Sequence, residues 1–214
     1  MTPKQKSYEV LAQTLIKKME KRQFEASYCP TKEDALQKVI SYLSKGCSVT
    51  CGGSETLKEI GFKDFIKSDQ ASDYTYIDRD QAKTPEAKRE VFAQAVMADY
   101  YLMSSNAITM DGELVNIDGI GNRVAALCFG PSHVIIVAGM NKIAPDVQTA
   151  EIRVRSLASS PNAIRLNCNT PCAHTGICGN CYSPDCICSQ IVTTRFSKVP
   201  GRIKVILVGE ELGF

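Results

Sequence analysis

The chain reads as an α/β protein with a mainly parallel sheet and helices on both faces, and three observations predict this. Strand-like and helix-like segments alternate through most of the 214 residues, as parallel strands joined by crossover helices require. The stretch HVIIVAG at 133–139 is nearly all apolar, which suits a central strand covered on both sides. The stretch CSVTCGGSETLKEIGF at 47–62 passes from a strand pattern through Gly-Gly-Ser directly into a helix pattern.

The remaining elements follow in order. The first segment sets Val10, Leu11, Leu15, Ile16 and Met19 on one helical face and lysines on the other. Residues 24–29 form a short strand. Thr31 then caps a helix carrying Ala35, Leu36, Val39, Ile40 and Leu43, which Gly46 ends. Thr84 and Pro85 open a helix whose small face (Ala87, Val91, Ala95, Ala98) suits packing on a sheet. Residues 100–104 return to strand. Asp111-Gly112 between two apolar segments signals a hairpin, since the tight turn needs positive φ. A short helix is expected over 123–129, another from Pro145 to about 157, and closing strands over 190–196 and 202–209. No linker divides the chain, so one domain over 1–214 is expected, with a cysteine-rich loop inserted at 168–189.

Composition narrows the function classes. Hydrophobic residues make up 44% and charged residues 22%, with a formal charge of +2. Basic residues are interleaved with acids rather than gathered in a stripe, so nucleic acid is not an expected partner. The longest apolar run is too short to cross a bilayer and the first segment lacks a signal-peptide core, so a cytoplasmic protein without a membrane partner is expected.

Three stretches carry candidate chemistry. In the first, Gly52 and Gly53 allow close backbone approach at a strand-to-helix turn. Ser54 and Thr56 add hydroxyls, so the turn is a candidate site for a phosphate or carboxylate. It is neither a Walker A loop nor GxGxxG, and a plain turn with Ser54 as helix cap is the competing interpretation. In the second stretch, 105–123, polar groups accumulate where an α/β core should be apolar. Strand alternation sets Asn116 and Asp118 on one face with Arg123 as counter-ion, against the alternative of a solvated hairpin. Glu113, Asp118, Arg123 and Lys142 are the candidate catalytic groups. Asn116, Gly119, Gly121, Asn122 and Asn141 are further ligand-binding candidates.

The third stretch, CNTPCAHTGICGNCYSPDCICS at 168–189, holds six of the ten cysteines with spacing C-x3-C-x5-C-x2-C-x4-C-x-C. A C-x2-C pair can form one corner of a zinc or iron–sulfur site, and either centre needs four ligands. Asp185 is the one charged residue in the loop, so no local cation stabilises a free thiolate, whereas a metal supplies its own charge. A redox-active loop and inert thiols are the alternatives. Cys29, Cys47, Cys51 and Cys128 fall in regular elements and read as small core residues.

The segments GGSETLKEIG, DYYLMSSNAITMDGELVNIDGIGNRVAALCFGPSHVIIVAGMNKI, TPCAHTGICGNCYSPDCIC and RIKVILVGEELGF together resemble the LUD-domain family. These are lactate-utilization-type, stand-alone bacterial proteins. The resemblance implies the fold shared by ribose-5-phosphate isomerase, glucosamine-6-phosphate deaminase and the CoA transferases. In those enzymes a Gly-rich turn holds phosphate, which Gly52, Gly53, Ser54 and Thr56 match in place. It also implies a small anionic metabolite as ligand and iron–sulfur redox proteins as partners, since some relatives act with such proteins in oxidising L-lactate to pyruvate. The family's cysteine motif corresponds to Cys172, Cys178, Cys181 and Cys188 as metal or cluster ligands. Cys186 stands where a basic residue is more usual, and Cys168 and Cys186 are the alternates. Two functions are therefore expected to compete: a metabolite-binding protein of organic-acid oxidation, and a non-catalytic, redox-sensing accessory that docks an iron–sulfur partner through the cysteine loop.

Overall fold

A computed structural model describes residues 1–214 and contains two sheets. Its strands are β1 (Glu25–Cys29), β2 (Ser48–Cys51), β3 (Thr75–Tyr76), β4 (Tyr100–Met103), β5 (Ala107–Thr109), β6 (Leu114–Asp118), β7 (His133–Gly139), β8 (Ile143–Ala144), β9 (Gln190–Thr194) and β10 (Ile203–Val208). The helices are α1 (Pro3–Lys21), α2 (Lys32–Tyr42), α3 (Glu55–Glu59), α4 (Phe62–Ile66), α5 (Pro85–Met97), α6 (Asn122–Cys128), α7 (Val147–Arg153), α8 (Ser159–Arg165) and α9 (Pro171–Thr175).

The main sheet has six strands in the order β1-β10-β7-β4-β2-β3, and every neighbouring pair is parallel. Its central strands are buried on both faces. Ile135, Val137, Leu102 and Ile206 pack with Ala35 and Val39 of α2 and with Leu57 and Phe62 of α3 and α4. Val134, Ile136, Met103, Val205 and Leu207 pack on the opposite side with Ala12, Leu15 and Met19 of α1 and with α6. This double covering is why the 133–139 segment is apolar without alternation.

Local chemistry sets the helix ends. The Thr2 hydroxyl accepts from the Gln5 amide at 3.2 Å and the Thr2 amide donates to Gln5 Oε1 at 2.7 Å, a reciprocal cap on α1. The buried stripe of α1 is centred on Ala12, Leu15 and Met19, while Val10 points outward. Thr31 caps α2 as expected, but the helix stops at Tyr42. Leu43 turns extended there, and Gly46 with φ of 77° serves the turn into β2. Asp146, not Pro145, caps α7 through the Thr149 amide at 2.7 Å. That helix continues past the expected end near 157, through a π turn (Val154–Ala158), into α8.

The expected hairpin forms, but it is the middle of a second, four-stranded sheet, β8-β5-β6-β9. β9 therefore leaves the main sheet and pairs antiparallel with β6, while β8 adds parallel to β5. Strand alternation gives the hairpin two buried faces. Ile108 and Leu114 join the α1 side of the main core, and Ala107, Val115 and Ile117 pack on Ala150, Val154 and Ala158. No helix is long and apolar enough to cross a membrane.

Candidate functional site

Strands β2, β4 and β7 are contained in one parallel array, and the residues following each of them meet at its carboxyl edge. Gly53, Ser54 and Thr56 follow β2, Ser104, Ser105 and Asn106 follow β4, and Lys142 follows β7; all line one cleft of about 530 Å³. The β6–α6 connection adds Asp118, Gly119, Asn122 and Arg123. The carboxyl edge of a parallel sheet is where open α/β folds hold ligands, because loops diverge there and leave a crevice.

The Gly-Gly-Ser turn supports the cleft in two ways. The Ser54 hydroxyl accepts from the Leu57 amide at 3.3 Å and caps α3, as the plainer interpretation of this turn holds. Because α3 has five residues, its dipole is a minor contribution. Gly52 matters sterically: a Cβ there would lie 3.1 Å from the Tyr101 hydroxyl and 3.5 Å from Arg123 Cδ. Thr56 is buried, and its hydroxyl accepts from Lys142 Nζ at 2.9 Å.

Lys142 is 3% exposed and also donates to the Ser104 hydroxyl at 2.9 Å. Burial pushes its ammonium down to about 7, and the nearby Arg153 and Arg123 act in the same direction against Glu59. The other basic residues lining the cleft have carboxylates within 4.0 Å: Arg123 has Asp118, Arg165 has Glu55, and Lys63 and Arg79 share Asp80. Lys142 has hydroxyl partners instead. A lysine held this way sits near half-protonation at neutral pH, so it can accept or release a proton at Nζ.

Arg123 orders the opposite wall. Its guanidinium donates to Asn116 Oδ1 and Asn106 Oδ1, both at 2.7 Å, to the Ile117 carbonyl at 2.6 Å and to the Ser104 carbonyl at 3.1 Å. Asp118 lies 3.6 Å from its Nε and accepts from the Val124 amide at 3.2 Å. Asn116 and Asp118 thus share Arg123, as strand alternation predicts. Asn116 is fully buried behind the wall, and its Nδ2 has no acceptor.

The other expected site residues divide. Gly53, Ser54, Thr56, Asp118, Gly119, Asn122, Arg123 and Lys142 line the cleft. Gly52 and Gly121 sit just behind it, with Gly121 at φ of 87° opening α6. Glu113 lies elsewhere, at the hairpin turn, where it accepts from Thr109 at 3.1 Å and faces Arg22 at 3.6 Å. Asn141 accepts from the Leu212 amide at 3.1 Å and so holds the segment after β10. The sequence reading missed Arg79 and Arg165, which reach the cleft from a 3-10 turn and from α8. Neither lies in a motif. Ser104 and Ser105 did carry a signal, as polar residues directly after a buried strand.

The cysteine loop borders this cleft. Ile187 lines it, and a Cβ on Gly119 would meet the Cys186 carbonyl and Ile187 Cα, both at 3.7 Å. Side chains stitch the loop without a cross-link. Asp185 accepts from the Asn169 amide at 3.0 Å, Ser183 donates to the Asn169 carbonyl at 2.9 Å, and His174 bonds Asn169 at 2.9 Å. All six loop thiols are free and half-buried. Burial raises the Cys188 thiol, with Cys186, Cys178 and Cys181 acting in the same direction and Arg155 opposing. Burial raises the Cys168 thiol too, with Asp185 and Cys172 acting in the same direction. Arg155 also bonds Asn180 at 3.1 Å, so a cation absent from the loop's sequence reaches it through the fold. No three His, Cys, Asp or Glu side chains converge closely enough to hold a metal ion. A four-ligand centre would therefore require the loop thiols to draw together from this arrangement.

Comparison with known proteins agrees with the architecture. The chain is similar to the crystal structure of a DUF162 family protein from Deinococcus radiodurans, with a TM-score of 0.56 and 13% identity, over 94% of this chain and 98% of that one. At that identity the likeness shows the fold alone. No curated protein matches significantly. The LUD domain profile matches residues 12–208, which takes in both sheets, the cysteine loop and all of the cleft lining but Gly213 and Phe214. The chain belongs to the LUD domain family.

Proposed function

We propose that the cleft binds a small metabolite carrying a carboxylate or phosphate, and that the protein serves lactate or related organic-acid oxidation with Lys142 as its proton-transfer group. The observation that carries this reading is a buried lysine with two hydroxyl partners in a cleft where five basic side chains meet three acidic ones. The excess positive charge favours an anion, and the half-protonated amine can take the proton of a neighbouring hydroxyl group. The electrons of such an oxidation would pass to a separate redox protein of the iron–sulfur class.

Calorimetry with lactate, pyruvate, sugar phosphates and CoA esters tests the reading. Measured at pH 8 in two buffers of different ionisation enthalpy, anion binding takes up protons in the wild type, because the anion restores the charge on Lys142. Lys142→Met abolishes that uptake, and Gly53→Asp weakens binding by adding a like charge at the rim. Absence of binding by every ligand refutes the proposal.

A second reading has its own support. Tyr182 is 98% exposed and Ile177 72% exposed, both on the cysteine loop beside the cleft. Such a surface suits an accessory role in which the loop docks a redox partner or gathers a metal, zinc or an iron–sulfur cluster. Loss of a co-purifying partner on mutating Cys178 and Cys181, with ligand binding intact, favours this reading.

A further inference from the structure

We propose that the metabolite carries an apolar group next to its anionic one, and that this group sits in a separate cavity between α5 and the main sheet. The proposal rests on the cleft being an anion site, and it specifies which anions the site prefers.

The cavity measures about 100 Å³ and is lined by Val91, Phe92, Ala95 and Val96 from α5 and by Ala125 and Ala126 from α6. Cys51 and Tyr101 contribute from the strands, and the Cys51 thiol is already engaged with the Tyr76 hydroxyl at 3.3 Å. Arg79, Phe92 and Asn122 line both this cavity and the cleft, so the two spaces adjoin. The other basic groups of the cleft, Lys63, Arg123, Lys142 and Arg165, lie outside the cavity. One ligand therefore finds its charge satisfied on one side of Arg79 and an apolar recess on the other.

The packing of α5 explains why the recess exists. Within that helix Ala95 alone is buried, and Val91 and Phe92 stay half-buried beside the void. A leucine at the Ala95 position would fill the gap, so the small residue keeps it open. The recess is lined mainly by apolar groups, with Thr50, Arg79 and Asn122 as its polar lining, so it favours an apolar guest over water, and an apolar cavity of about 150 Å³ takes a benzene ring. By that measure this recess takes a chain of roughly four carbons.

The test uses two homologous series on the full chain: 2-hydroxycarboxylates from lactate to 2-hydroxyoctanoate, and alkyl phosphates from methyl to heptyl. In the series that binds, each added methylene tightens Kd about fourfold, or ~0.8 kcal/mol, until the recess is full at roughly four carbons, and then the gain stops. Ala95→Leu removes the increments and leaves the shortest member's affinity unchanged. Ala125→Leu, at an exposed position, reads the same effect if the first variant does not fold. If no member of either series binds, the anion site itself is overturned and this proposal with it. If short anions bind but chain length has no effect, this proposal fails while the cleft reading stands. If the increments persist in a folded variant, the apolar group lies elsewhere and the assigned cavity is wrong.

Discussion

Replacing Lys142 with methionine makes the stability of this protein respond differently to pH. The amine is buried, and its folded-state value falls from 10.5 to about 7. Between those two values the unfolded chain holds a proton that the folded chain has released, so this group's contribution to stability rises with pH. The contribution is complete above the unfolded value and is lost as pH falls toward 7. At pH 7 the wild type carries a penalty of about 4 kcal/mol from this imbalance, and at pH 9 about 2 kcal/mol. Methionine fills nearly the same volume without titrating, and it forgoes two hydrogen bonds worth about 1 kcal/mol each. Thr56 and Ser104 keep their own contacts to the Leu212 and Ser105 carbonyls at 3.5 and 3.3 Å. The variant is therefore expected to exceed the wild type by about 2 kcal/mol at pH 7 and to match it near pH 9. Urea unfolding of both proteins at pH 7, 8 and 9 reads this directly, because all other titrating groups cancel in the difference. A difference that stays constant over this range shows that Lys142 remains charged, and the proton-transfer role falls with it.

Other perturbations read other parts of the argument. Arg123→Met removes a donor from four acceptors, of which Asn116 Oδ1 and Asn106 Oδ1 keep the Asn106 and Ile117 amides, and leaves Asp118 without its cation, at a cost of about 3 kcal/mol; urea unfolding measures it, and a loss under 1 kcal/mol contradicts the clamp. Gly112→Ala forces a side chain at φ of 86° and sets its Cβ 2.9 Å from Met19 Cγ, so a loss of about 1–3 kcal/mol is expected in thermal unfolding. In chelator-treated native protein a thiol reagent labels seven cysteines quickly, Cys128 and the six of the loop, and spares buried Cys29, Cys47 and Cys51. Burial holds the Cys29 thiol at about 11 and raises the other two. Protection of four loop thiols by added zinc, or by iron with sulfide, supports a metal centre there; unchanged labelling refutes it.

Much of the architecture was legible because it depends on short-range chemistry. The apolar run at 133–139 required a doubly covered strand, Thr31 and Thr84 named their helix starts, and Asp111-Gly112 named its turn. Endpoints set by competition between neighbours were less legible. Gly46 looked like the stop of α2, yet the chain leaves the helix at Leu43 and uses the glycine one turn later. The π turn that carries α7 into α8 has no sequence marker.

The candidate site divides along the same line. The sequence by itself determined the polar turn after β2, the common face of Asn116 and Asp118 and the alternation of an α/β chain, because each is written in spacing along one segment, while the LUD type was legible as a resemblance spread over four segments. Tertiary structure alone decided that Lys142 would be buried against Thr56 and Ser104, that Arg79 and Arg165 would join it, and that Glu113 and Asn141 would not. It also decided that β9 belongs to a second sheet and that the cysteine loop overlies Gly119. These are meetings between residues far apart in the chain. They depend on which strands become neighbours, and a charge far along the sequence acquires its chemistry only when burial and its partners fix the cost of keeping it ionised.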